Sequence, residues 1–86
     1  MRLICFDFEA FEQYGSWALE NKKMLDRLQR LILETAKNPF GGIGKPEPLR
    51  GNLNAYWSRR MNDEHRLVYK VTDTQIIIVA CKYHYE

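Results

Sequence analysis

The chain is poor in the features that mark secreted, membrane-bound or metal-binding proteins. It has only two cysteines in 86 residues, Cys5 and Cys81, each within an apolar run. That number excludes a disulfide-dense scaffold, and both are read as reduced, buried core residues. The two histidines and two cysteines include no closely spaced pair, so no metal-ligand signature is present. No apolar stretch reaches the roughly 18 residues that a membrane span needs. The opening Met1-Arg2-Leu3-Ile4-Cys5-Phe6 is too short and lacks the small-residue cleavage site of a secretory signal. No serine sits in a nucleophile-elbow context. Gly41-Gly42-Ile43-Gly44-Lys45 lacks phosphate-loop spacing, and Pro46 stands where Ser or Thr would hold Mg²⁺. Low-complexity runs and repeats are missing too, which argues against disorder. These absences predict a single cytoplasmic domain spanning residues 1–86, with no cofactor, metal or membrane partner. A domain of this size can bury one core and has little stability to spare.

Positive charge is missing from one part of the chain and gathered in another. Asp7, Glu9, Glu12 and Glu20 lie in a stretch without Lys or Arg. From Lys45 to Lys70 the chain carries Lys45, Arg50, Arg59, Arg60, Arg66 and Lys70 against Glu47, Asp63 and Glu64. The net charge of +2 decides little, but a fold that collects the second set on one surface attracts a polyanion.

Periodicity predicts an α+β fold. Arg2 to Phe6 reads as a short strand, and Asp7 as the cap of a helix in which Phe8, Phe11, Tyr14 and Ala18 recur at helical spacing. Asn21 reads as a second N-cap. Met24, Leu28, Leu31, Ile32 and Thr35 then form one face, with Leu25 and Ala36 beside it and an Asp26–Arg30 pair outside. Asn38-Pro39 ends this helix. The two helices therefore form a hairpin. Phe40 to Leu53 reads as a Gly- and Pro-rich loop. Ala55–Met61, His65–Thr72 and Gln75–Tyr83 read as three strands of an antiparallel meander, turning at Asn62-Asp63 and Asp73. With the N-terminal strand in the same sheet, the helices pack on one face.

Alternation assigns the faces. Leu67, Tyr69 and Val71 belong under the helices, together with His65 in a structural role. Arg66, Val68 and Lys70 belong on the other side. If Tyr56, Ser58 and Arg60 share that side with Lys82 and His84, the open face carries Arg60, Arg66, Lys70, Lys82 and His84. A basic groove with aromatics nearby suits single-stranded RNA. Glu47 lies between Pro46 and Pro48, which stiffen the loop on either side. Metal-free RNA cleavage needs a base for the ribose 2′-hydroxyl, an acid for the leaving 5′-oxygen and a cation for the phosphoryl charge. Glu47, His84 and Arg66 are the residue types for those roles. On position alone, other readings stay open: Glu47 as a surface residue of a proline-rich turn, Arg66 as the partner of Glu64 or Asp63, and His84 as a surface residue near the terminus.

Three segments taken together carry a resemblance. They are Asn38-Pro39-Phe40 with Gly44-Lys45-Pro46-Glu47-Pro48-Leu49, then Trp57-Ser58-Arg59-Arg60, and then Glu64-His65-Arg66-Leu67-Val68-Tyr69 with the terminal Tyr83-His84-Tyr85. The chain resembles the YoeB toxins of the RelE superfamily from end to end, most densely from Asn38 onward. The resemblance implies an endoribonuclease that enters the A site of the bacterial ribosome and cuts the mRNA there, leaving a 2′,3′-cyclic phosphate. It implies Glu47 as general base, Arg66 as transition-state cation, His84 as general acid and Tyr85 as a substrate-positioning residue. Arg50 adds a phosphate contact, and no metal is needed. A homodimer and a YefM-like antitoxin, whose C-terminal segment wraps the toxin, are implied as partners. With the charge pattern, the RNA-binding set becomes Lys45, Arg50, Arg60, Lys70 and Lys82. Glu86 is a departure, since family chains often stop at the preceding tyrosine, and it adds a carboxylate beside His84. The second reading is a non-enzymatic toxin similar to the ParE inhibitors of DNA gyrase in the same superfamily, which have no evident use for Glu47, Arg66, His84 and Tyr85 together.

Overall fold

The computed structural model describes residues 1–50 and 55–83. Its elements run in the order β1 (Leu3–Phe6), α1 (Phe8–Glu20), α2 (Lys22–Lys37), β2 (Glu47–Pro48), β3 (Tyr56–Arg60), β4 (Arg66–Val71) and β5 (Gln75–Ala80). The five strands form one mixed sheet ordered β1-β5-β4-β3-β2. The meander β3-β4-β5 is antiparallel, and β1 joins its far edge parallel to β5, with Ile4 opposite Ile76 and Phe6 opposite Ile78.

Helix boundaries follow the expected capping chemistry. Asp7 Oδ1 accepts from the Ala10 N–H at 2.8 Å. Asn21 ends α1 with its own N–H and opens α2 by accepting from Met24 through Oδ1, so one residue serves both helices. The core-facing side of α2 is the expected one: Leu28, Leu31, Ile32, Thr35 and Ala36 are buried, flanked by Met24 and Leu25. In α1 the buried side differs. Ala10 and Trp17 are buried and Tyr14 packs against the core, whereas Phe8 and Phe11 are exposed, as is Ala18. Helical spacing holds for both sets. Trp17 fixes the choice, because its indole Nε1 donates to the Cys81 carbonyl at 2.9 Å.

The helices and the inner face of the sheet enclose Leu67, Tyr69, Ile76 and Ile78, all fully buried. Cys81 is buried as expected, but Cys5 on β1 is only half-buried. Asp26 and Arg30 are both exposed and lie outside the ion pairs formed among the described residues. The segment expected to be entirely loop contains β2, which lines up along β3 with Glu47 opposite Ser58 and Pro48 opposite Trp57.

Candidate active site on the basic face

The placement of Glu47 starts from a buried arginine beneath it. Alternation puts Arg59 on the helix side of β3, and it is fully buried there. Its Nε donates to the Tyr69 hydroxyl at 3.1 Å, Nη1 to the Ile43 carbonyl at 2.8 Å and Nη2 to the Asn38 carbonyl at 2.6 Å. Tyr69 in turn donates to the Pro39 carbonyl at 2.7 Å. Burial pushes the Tyr69 hydroxyl above its usual pKa, with the Arg59 contact opposing. Three carbonyls of the loop that leaves α2 are thus held from the core side. Arg59 belongs to the basic stretch from Lys45 to Lys70, but its charge is spent in the core and does not reach the open face. The signal that identifies it was available, since Arg59 has the parity of Trp57 and not that of Ser58.

Above this anchor the loop docks on β3. The Arg60 N–H donates to the Gly44 carbonyl at 2.6 Å, and the Leu49 N–H to the Tyr56 carbonyl at 2.9 Å. In a ladder the N–H groups of alternate residues face the partner strand. Pro46 and Pro48 therefore fall where an N–H would point away from β3, and they cost no ladder bond on this edge strand. Gly44 has φ 85° and Lys45 φ 51°. For Lys45 the left-handed conformation costs on the order of 1 kcal/mol. This turn directs the exposed Glu47 over the sheet face that the helices leave uncovered.

Five residues converge there. Lys45, Glu47, Ser58, Arg60 and Arg66 line a pocket of about 160 Å³. The register explains the convergence: Glu47 pairs with Ser58, and Arg60 with Arg66 on the neighbouring strand. Paired residues project on the same side of a sheet, their Cβ atoms about 5 Å apart. The Arg66 Nη1 donates to the Asn62 carbonyl at 2.8 Å and to its neighbour His65's carbonyl at 3.2 Å. Asn62 accepts through Oδ1 from the Glu64 and His65 N–H groups, which shapes the turn that supplies this contact. One carboxylate among three cations makes a net-positive pocket able to hold a phosphate and to present a base beside it.

The remaining expected residues divide. Lys70 shares the pocket's face, pairs in register with Tyr56 and places its Nζ 5.8 Å from that ring. Arg50 is exposed and lines a neighbouring surface depression with Glu47, Pro48 and Leu49. Lys82 is a correction. Its Nζ lies against α1, bonded to Ser16 Oγ at 2.9 Å, ion-paired with Glu20 and 4.9 Å from the Trp17 ring. Regular β5 pairing ends at Ala80, and the last turn of α1 carries no basic residue of its own, so Lys82 answers the helix's charge instead of the groove's. The Lys82 contact lowers the Glu20 carboxyl below its ordinary pKa. The open face is also narrower than expected, because its middle row of Ser58, Val68 and Ala80 is buried. His65 is structural, as expected: it is buried, Nδ1 accepts from the Tyr83 N–H at 2.7 Å, and its ring meets Trp17 edge-on. His84, Tyr85 and Glu86 lie outside the described residues. Among the described residues no group of His, Cys, Asp and Glu could hold a metal ion, and no helix is long and apolar enough to cross a membrane.

Comparison with known proteins agrees with this architecture over its whole length. Residues 6–85 match the model of the YoeB-like toxin of bacterial type II toxin–antitoxin systems. Toxin YoeB of Streptomyces coelicolor is 52% identical over 82 residues, covering 95% of this chain and 98% of that protein. Among solved structures, a YoeB dimer from Staphylococcus aureus superposes with a TM-score of 0.90 at 47% identity, covering 98% of each chain. The toxin in a heterotetrameric YoeB–YefM toxin–antitoxin complex, also from S. aureus, gives 0.87 at 48% identity, covering 99% of this chain and 100% of that one. The chain belongs to the YoeB-like toxins of bacterial type II toxin–antitoxin systems.

Proposed function

We propose that this toxin is a ribosome-dependent endoribonuclease that cuts mRNA in the A site and so stops translation. The observation that carries the reading is the gathering of the Glu47 carboxylate with Lys45, Arg60 and Arg66 in one small pocket. The chemistry follows from the residue types. Glu47 takes the proton of a ribose 2′-hydroxyl, and the 2′-oxygen attacks the adjacent phosphorus. Arg66 meets the charge that develops on the phosphoryl oxygens. The bond to the 5′-oxygen breaks, and His84 supplies its proton, leaving a 2′,3′-cyclic phosphate and a 5′-hydroxyl. No step calls for a metal. Tyr85 positions the substrate, and Arg50 and Lys70 hold flanking phosphates along the same face.

The relatives in hand bring two partners to the proposal. By analogy with the S. aureus dimer and the YoeB–YefM complex, this chain pairs with itself and is held inactive by a YefM-like antitoxin. Its place of action is the cytoplasm, where the ribosomes are.

Primer extension on a message under translation tests the reading. Cuts should fall within codons that occupy the A site, and they should disappear when translation is blocked before ribosomes load. An intact message together with inhibited DNA supercoiling would establish the gyrase-directed alternative instead.

A further inference from the structure

Ser58 is the one pocket-lining residue among the described five that carries no charge. It is only 6% exposed, and its hydroxyl has no hydrogen-bond partner among the described residues; since none of their buried side-chain oxygens or nitrogens is left unbonded, the Ser58 Oγ is the part of the residue that reaches solvent. The buried Thr35 and Tyr69 hydroxyls, by contrast, donate to the Leu31 carbonyl at 2.6 Å and to the Pro39 carbonyl at 2.7 Å. Packing does not require a hydroxyl at position 58. Ser58 stands between Glu47 and Val68 in one cross-strand row, where alanine would pack as well. Nor does Ser58 hold the carboxylate across from it, since no bond joins the two side chains. Its hydroxyl is left to the pocket, with Glu47 directly opposite and Arg66 on the diagonal, next to Val68's place in the register.

We propose that Ser58 is a substrate contact, donating its hydroxyl proton to a non-bridging oxygen of the phosphate that is cut. This rests on the nuclease reading above. Arg60 and Arg66 surround the phosphate with spread positive charge, whereas a single short donor on a rigid strand selects one of its two non-bridging oxygens. The donor is supplied by β3, which is fixed by pairing on both sides, so it needs no rearrangement when the substrate arrives.

The test is single-turnover cleavage of ribosome-bound message by the parent and by Ser58→Ala. Each is given the natural phosphate and both phosphorothioate diastereomers at the cut site. Losing a hydrogen bond to a charged oxygen should slow the natural substrate about tenfold or more, with ribosome affinity and thermal midpoint in place. Sulfur accepts this bond poorly. The parent should therefore slow further on one diastereomer, and Ser58→Ala should lose that extra penalty. A variant as fast as the parent, or a slow one with the parent's penalty on both diastereomers, overturns the assignment. A parent that leaves the translated message uncut is a different failure. It removes the nuclease reading itself, and the Ser58 contact falls with it.

Discussion

Arg59 and Arg60 are neighbours in sequence with opposite destinations. Arg59 is fully buried and bonded to Tyr69, Ile43 and Asn38, and Arg60 lines the pocket. Strand alternation separates them, and the same parity argument correctly placed Leu67, Tyr69, His65 and Arg66. What the sequence did not disclose was that a charged side chain would accept burial. Loop carbonyls supply its partners here, and those come from residues 16 to 21 positions away. Lys82 was missed for a similar reason. Its partners Glu20 and Ser16 lie on α1, more than 60 residues distant in the chain. Since Arg59 spends three donors on fixed acceptors, Arg59→Lys should not substitute for it. The shorter set of donors leaves loop carbonyls unmet, and the loss should be about 3 kcal/mol by urea unfolding. An unchanged midpoint would show that the anchor contributes nothing.

Among the elements, β2 decides the site, and it is the least visible in the sequence. Two residues give no periodicity to read, and Pro46 and Pro48 argue against a strand unless it is an edge. The prolines imply a stiff segment around Glu47; only the pairing with β3 shows where that segment points. Helix α1 shows the complementary error. Phe8 and Phe11 repeat at helical spacing but lie outside, because the partner of this helix is chosen by Trp17 and the tightly packed Ala10. Gly44 tests how the loop positions Glu47. Its φ is 85°, and a Cβ there would come within 2.8 Å of Leu31 Cδ2 and 3.3 Å of the Arg60 carbonyl oxygen. Gly44→Ala should therefore destabilise the fold by about 1 kcal/mol or more. It should also lower cleavage more than the remaining folded fraction accounts for, since the loop must shift off β3. Activity that tracks folded protein alone would mean that the loop's position does not matter.

For the whole molecule, the α+β class, the helices on one sheet face and the order of the elements other than β2 were legible because each rests on local periodicity and capping. The parallel seating of β1 beside β5 is a long-range choice without a local mark. Stability should reflect the buried core acids. Burial pushes the Cys81 thiol up to about 12 and raises the Tyr69 hydroxyl as well. Both groups fold protonated, so their contribution is complete below the unfolded-state values, about 8.5 for the thiol. It is lost as pH rises toward the folded ones. Glu20 acts at the other end, where its lowered value gives support above its unfolded pKa that fades in acid. Cys81→Ala should flatten the alkaline limb of a stability profile between about pH 9 and 12; parallel profiles for parent and variant would contradict the burial argument. The central claim is that the pocket on the basic face deprotonates a 2′-hydroxyl through Glu47 while His84 protonates the leaving oxygen. The most direct measurement compares Glu47→Gln and His84→Gln on ribosome-bound RNA with either the natural 5′-oxygen or a 5′-thio leaving group at the cut site. A thiolate leaves without a proton, so the 5′-thio substrate should restore cleavage by His84→Gln and leave Glu47→Gln inactive. Equal rescue of both variants, or of neither, would contradict the account.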